Sequence, residues 1–294
     1  MTSSRSLSMA SIFGKQSTFT SLDKSEKPSL VSKQSSSTAL GPLPESVFHP
    51  PEVRIVHMSN TYNFLHKRSS FAFLPKGDIL VHSGDFTNNG TDEEYAQFDG
   101  WLRTVKHIYH YRLVVLGMRD VRRYGSDWDV MKSLLPHATH VLCHEEVCIM
   151  GIRFYGCPWN WGHDYDYSIR PVAPASTCGR FDDIPSACHV LITHGAAYGT
   201  LDCSGFDKNS KHHGSRELAD AVQKTRPGLH LHGHVDMGRG ISPAFKSHPL
   251  TLNSCVCDED HSVMYATAQV VKGSKLLSEG GESQWVFSMA SLEE

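Results

Sequence analysis

Gly77-Asp78-Ile79-Leu80-Val81-His82-Ser83-Gly84-Asp85-Phe86-Thr87 is a short apolar run that stops at a glycine and hands the chain to a carboxylate. Short β-branched runs bounded by Gly and polar residues read as strands. Four more short runs each end in a polar loop: 53–59 into Asn60-Thr61-Tyr62, 113–117 into Met118-Arg119-Asp120, 190–193 into His194-Gly195, and 229–233 into His234-Val235-Asp236. In open α/β sheets ligands gather outside the carboxyl ends of the strands. The polar residues of these five loops are therefore the candidate site.

Helical patterning lies between the runs. Thr91 and Glu94 make a T-x-x-E capping box, and Tyr95, Phe98, Trp101, Leu102, Val105 and Ile108 share one face, so a helix is expected over 91–109. A second is expected over 215–224, stopping ahead of Arg226-Pro227 because the residue before proline is pushed out of the helical region. Strand-like stretches follow at 250–256 and 263–271. Alternation of strand and helix predicts the α/β class.

Composition sets the boundaries. With 294 residues, 39% of them hydrophobic, the chain can bury one sizeable core. A formal charge of -3 excludes a strongly basic polyanion binder, so no nucleic-acid signature is present. No apolar run approaches membrane-spanning length, which predicts a soluble protein. The 8 Cys are scattered without a C-x-x-C pair, a pattern of reduced, buried thiols that points to the cytoplasm. Residues 1–46 are Ser/Thr/Lys-rich and end in Gly41-Pro42-Leu43-Pro44, so they are expected as a disordered tail. Acidic residues are absent before Asp23, which leaves an organellar transit segment as the alternative location signal. A globular domain is expected over 47–280, and 281–294 as a loosely ordered C-terminal tail.

The five loops, in order, resemble the motifs of the calcineurin-like metallophosphoesterases, D-x-H, G-D, G-N-H-E, T-H-G and G-H-x-H, and within them the metallophosphoesterase-domain-containing branch. The resemblance covers roughly 54–257 and extends to Gly77-Asp78-Ile79-Leu80, Tyr155-Gly156-Cys157-Pro158-Trp159 and Leu191-Ile192-Thr193-His194-Gly195. It implies a four-layer α/β/β/α sandwich of two mixed sheets. It also implies a pair of cations that activate water and neutralise phosphoryl oxygens. By that resemblance the first cation would be held at Asn60, Tyr62, Asp85 and Asp236, the second at Asp85, Met118, His194 and His234, and Arg119 stands where the family keeps its general-acid histidine.

Several of these positions carry poor ligands. Asn60 is a neutral amide, Tyr62 a phenol and Met118 a thioether, whereas Asp236 can still coordinate Mn or Mg. Asp85, His194 and His234 remain a two-His, one-carboxylate set for a single Mn, Zn or Fe. One divalent cation is thus expected, and a two-metal centre is not. Arg119 cannot serve as a general acid, because a guanidinium holds its proton too tightly. It is expected to point inward, pairing with Asp85 or Asp236 or gripping a phosphate; the alternative turns it to solvent beside Asp120, Arg122 and Arg123.

Other tempting residues are read more simply. His230 and His232 alternate with Leu229 and Leu231, so they share a strand face with His234 and are expected to pack or to support it. His212-His213 lies in a Lys/Asn/Ser-rich loop without a ligand close by in sequence and is read as solvated. Trp159 and Trp161 are read as packing beneath a loop, and Asn253 as a loop-fixing hydrogen-bonding group. Functionally, the expectation is a phosphoesterase homologue with little or no activity that binds a phosphate-bearing molecule or a protein partner. The alternative is an active one-metal hydrolase of nucleotide-type phosphodiesters or phosphomonoesters.

Overall fold

The parallel strands are largely buried on both faces, and this builds the layers. In β2 (Ile79–His82) all four side chains are buried. Ile79 and Val81 enter one apolar cluster and Leu80 enters another, as a period of two requires. The computed structural model describes residues 52–65, 74–125, 127–158, 180–205, 210–258, 260–263, 268–277 and 283–290. The readings of 1–46, Trp159, Trp161 and Cys178 lie outside the described residues.

One six-stranded sheet runs β12-β11-β1-β2-β3-β4. Its members are β1 (Glu52–Met58), β2, β3 (Tyr111–Val114), β4 (His140–Val141), β11 (Gln269–Leu277) and β12 (Ser283–Met289). The other runs β5-β6-β7-β8-β10-β9. It comprises β5 (Glu145–Ile149), β6 (Ile152–Cys157), β7 (Val190–Thr193), β8 (Leu229–His232), β9 (Gly240–Ser242) and β10 (Leu250–Asn253). Both are mixed: β1 to β4 pair in parallel, as do β6, β7, β8 and β10, and β5, β9, β11 and β12 join antiparallel.

Val53, Ile55, Val81, Phe154, Ile192, Leu231 and Leu252 meet in the cluster between the sheets. Each such side chain, taken fully out of water, contributes about 1.5–3 kcal/mol. The outer face of the first sheet is covered by α1 (Asp92–Val105), whose Tyr95, Phe98, Trp101, Leu102 and Val105 pack on Val56, Leu80 and Val114. The outer face of the second is covered by α3 (Arg216–Thr225) through Leu218, Ala221 and Val222. A short α2 (Trp128–Ser133) buries Met131 against the first cluster. The layers are therefore α/β/β/α.

Both expected helices form. Thr91 caps α1 and the capping box is complete. The helix ends at Val105, ahead of the expected 109, because Tyr109 turns inward and its hydroxyl donates to Pro75 O at 2.6 Å. α3 starts from Ser215, which caps Leu218 N, and stops at Arg226 in a left-handed conformation, one residue before Pro227. The expected loose C-terminal tail is corrected. It contains β12, paired with β11 from Ser283 to Met289, and it drives Trp285 and Phe287 into the core between the sheets. Its alternation rests on two buried aromatics, Trp285 and Phe287, too short a pattern to mark a strand. The seven described cysteines are free, five of them buried. Among the described residues no helix is long and apolar enough to cross a membrane.

Candidate functional site

The carboxyl ends of β1, β2, β3, β7 and β8 converge. Ser59, just past β1, bridges to Cys255 past β10, and Asn60 follows with a positive φ of 52°. Its side-chain oxygen accepts from Ser59 Oγ at 2.6 Å and from His234 N at 2.9 Å, and its amide nitrogen donates to Tyr62 Oη at 2.7 Å. Asn60 thus fastens the β1 loop to the β8 loop, with its oxygen committed to two donors.

Asp85, at the end of β2, is fully buried, also with a positive φ. Gly84 and Gly117 allow this approach: a Cβ on Gly117 would lie 2.3 Å from Asp85 N and Oδ1, and one on Gly84 2.6 Å from His194 Nδ1. Asp85 Oδ1 accepts from Arg119 N at 2.8 Å, while Oδ2 lies 3.4 Å from His194 Nε2. His194 Nδ1 stands 2.8 Å from the carbonyl of Ser83. A carbonyl only accepts, so Nδ1 carries the proton, and in the neutral ring Nε2 presents its lone pair to Asp85. His234 completes the group, with its ring centroid 5.2 Å from that of His194. One ligand atom from each of Asp85, His194 and His234 lies within 4.8 Å of the others.

Burial works against charge on His194, yet the Asp85 carboxylate outweighs it and the pKa rises. Burial likewise opposes ionised Asp85, but His194 and the Arg119 amide hold it down at about 2. His234 falls to about 3, through burial and then the neighbouring His194. An ionised carboxylate facing two nitrogen donors suits a divalent cation. A histidine whose second nitrogen is fixed by a carbonyl has the orientation that metal-binding histidines use. The residues present therefore fit one Zn, Mn or Fe.

Arg119 points inward. Its Nε lies 3.9 Å from Asp85 Oδ2, its guanidinium carbon sits 4.6 Å from the centroid of the Tyr62 ring, and its side chain is 19% exposed. Tyr62 is buried, with its ring also against His261 at 4.6 Å between centroids. Met118 packs in the same apolar cluster as Tyr62. Asp236 stands apart from the three converging ligands: its Oδ1 accepts from Met237 N at 2.7 Å, and its charge contributes to raising the Cys255 pKa, after burial.

Asp120 does more than the sequence suggested. Its two oxygens accept from the backbone N–H groups of Asp85, Gly117 and Thr87 and from Thr87 Oγ1. Burial and then the Asp85 charge push it up to about 7 against those four donors. It is the post that fixes the β2 and β3 loops together, and only its place in the Gly117-Asp120 motif hinted at this. His230 and His232 sit side by side, 5.2 Å between centroids, with His230 Nε2 2.9 Å from Thr193 Oγ1, whereas His234 lies beyond the strand with a positive φ of 67°, so the strand face expected for all three is shared by the first two. Asn253 donates to Val235 O and Leu201 O, fixing loops as read.

No family model matches the chain. It is 30% identical over 225 residues to the human metallophosphoesterase domain-containing protein 1, a stretch covering 68% of this chain and 66% of that protein. It therefore spans just under two thirds of that relative's length. A UPF0046 protein of Caenorhabditis elegans is 27% identical over 226 residues, 72% of this chain and 73% of the relative. Among solved structures, TT1561 of Thermus thermophilus superposes with a TM-score of 0.45 at 13% identity, covering 81% of this chain and 98% of the other.

Proposed function

Because this chain belongs to the metallophosphoesterase-domain-containing family, we propose that its strand-end pocket recognises a phosphate-bearing ligand around one divalent cation at Asp85, His194 and His234, with little or no hydrolysis. The observation that carries this reading is an asymmetry. Three good donors converge, while Asn60, Tyr62 and Arg119 are tied to one another and to Asp85.

A bound cation would supply Lewis-acid charge to a phosphoryl oxygen. Asp85 brings the negative charge that holds it, and Ser83 keeps His194 turned with Nε2 inward. Arg119 adds a fixed positive charge beside Asp85 and a planar fork suited to phosphate. It does not protonate a leaving group, which removes a contribution of about 10²-fold or more. The second reading, a one-metal hydrolase of nucleotide-type phosphoesters, is favoured by the His194 tautomer alone. A protein partner seated in the same pocket is a further occupant.

Manganese avoids thiolate and therefore reads these oxygen and nitrogen donors. Titrating the chelator-stripped chain with manganese should give one ion per chain, lost in His234→Ala. Inorganic phosphate should bind the loaded protein and weaken in Arg119→Ala, and a generic aryl phosphodiester should turn over at background. Turnover abolished by His234→Ala would establish the hydrolase instead. Two tightly held manganese ions, or neither manganese nor phosphate binding, would overturn the single-cation reading.

A further inference from the structure

A second group of ligand atoms lies on the connection between β7 and α3. An antiparallel bridge joins Cys203 to His212, and Asp202 precedes it. His212 was read as solvated because no ligand is near it in sequence; the bridge supplies two from nine and ten residues earlier. His212 Nδ1 is 2.9 Å from Asp202 Oδ1 and 3.4 Å from Cys203 Sγ, and Cys203 Sγ is 3.9 Å from the same Asp202 oxygen. Around a tetrahedral zinc, with bonds of about 2.3 Å to sulfur and about 2.0–2.2 Å to nitrogen and oxygen, such donors stand roughly 3.4–3.6 Å apart. Shifts of about half an ångström or less bring this triangle onto that geometry.

We propose that Asp202, Cys203 and His212 bind a zinc ion that staples this loop, independently of the strand-end site. Asp202 is prepared for it. The carboxylate is 1% exposed, and its other oxygen is held by the N–H groups of Gly199 and Gly214 at 3.0 and 3.2 Å, which aims Oδ1 at the thiol and imidazole. The His212 ring lies against Tyr198, 4.9 Å between centroids, and Arg216 covers Tyr198 at 3.9 Å, which fixes the imidazole plane. His212 is 43% exposed, so ion and water have access. Burial and the adjacent Asp202 carboxylate raise the Cys203 pKa, so the thiol keeps its proton in the cation-free loop. On binding, the S–H bond breaks, a Zn–S bond forms and the proton leaves to solvent.

Among the described residues the loop site alone pairs a thiol with a carboxylate and an imidazole at these distances, so cobalt substitution separates it from Asp85, His194 and His234. The full chain loaded with Co(II) should show a thiolate-to-metal charge-transfer band. The band should vanish in Cys203→Ser and persist in His234→Ala and Cys255→Ser. Zinc retained after desalting should fall by one ion per chain in Cys203→Ser and in His212→Ala. Affinity should drop by more than the roughly 10–100-fold typical of losing a supporting partner. Cys203 is half-buried and His212 exposed, and unchanged circular dichroism would show that the variants fold. A wild-type chain without the band, or a band surviving Cys203→Ser, would overturn the proposal and leave an Asp-His hydrogen bond under a loop.

Discussion

Arg119 shares its charge between the buried carboxylate of Asp85 and the face of Tyr62. Removing it leaves Asp85 with His194 and one backbone N–H, so the loss falls below that of a wholly stranded charge. Arg119→Ala should cost about 1–3 kcal/mol in chelator, and manganese should restore part of it. Urea unfolding with and without the ion measures this, and an unchanged midpoint would refute the charge-partner role. Acid should also destabilise the fold. Burial depresses His57, His82, His230 and His232, with His82 near 3 and His232 near 4. Their unfolded pKa is about 6.5, so below that pH the unfolded chain takes up protons the folded chain refuses. Stability then falls by up to about 1.4 kcal/mol per histidine per pH unit from about 6.5 down towards 4. His194, with a raised pKa, adds stability below about 6.5, and Asp120, pushed up to about 7, takes up a proton in the folded chain over the same window, so these two oppose the others. Urea midpoints at pH 7, 6 and 5 test the window; equal values would mean that the fold accommodates charged imidazoles.

Among the elements, α1 shows how much local sequence decides. Glu94 accepts from the N–H groups of Asn88, Asn89 and Thr91, and Thr91 caps Glu94 N, so the T-x-x-E signature fixes both the helix start and the loop before it. β12 shows the converse. Ser283-Gln284-Trp285-Val286-Phe287 alternates and pairs with the preceding strand β11, but the residues its aromatics pack against lie mostly far away in sequence. Trp285 packs between the sheets and donates to Gly151 O at 2.9 Å, so Trp285→Ala should cost about 3–5 kcal/mol, read by thermal unfolding. A loss under about 1 kcal/mol would return this segment to the loose tail expected from sequence.

Across the whole molecule, restoring the family pattern tests whether the framework still supports the chemistry. The combined Asn60→Asp, Tyr62→His, Met118→Asn, Arg119→His and Asp236→His variant should gain cation uptake and phosphodiester hydrolysis, with single changes doing little. Met118 and Tyr62 belong to an apolar cluster, so polar replacements there also cost stability, and manganese should be present during refolding. A folded variant that gains neither metal nor turnover would show that the supporting groups have diverged as well. The sequence by itself determined the five strand-to-loop junctions and the two longer helices, and its family resemblance pointed to Asp85, His194 and His234, whose ligand atoms the fold brings together. Alternation, capping and turn chemistry act over a few residues and leave local marks. Only the tertiary structure decided that Asn60 is spent on His234 and Tyr62, that Asp120 pins two loops, that Arg119 turns inward and that His212 meets Asp202 and Cys203. Those outcomes depend on which strand ends and loop arms the fold brings together, and side-chain distances across them are set by packing rather than by neighbours in the chain.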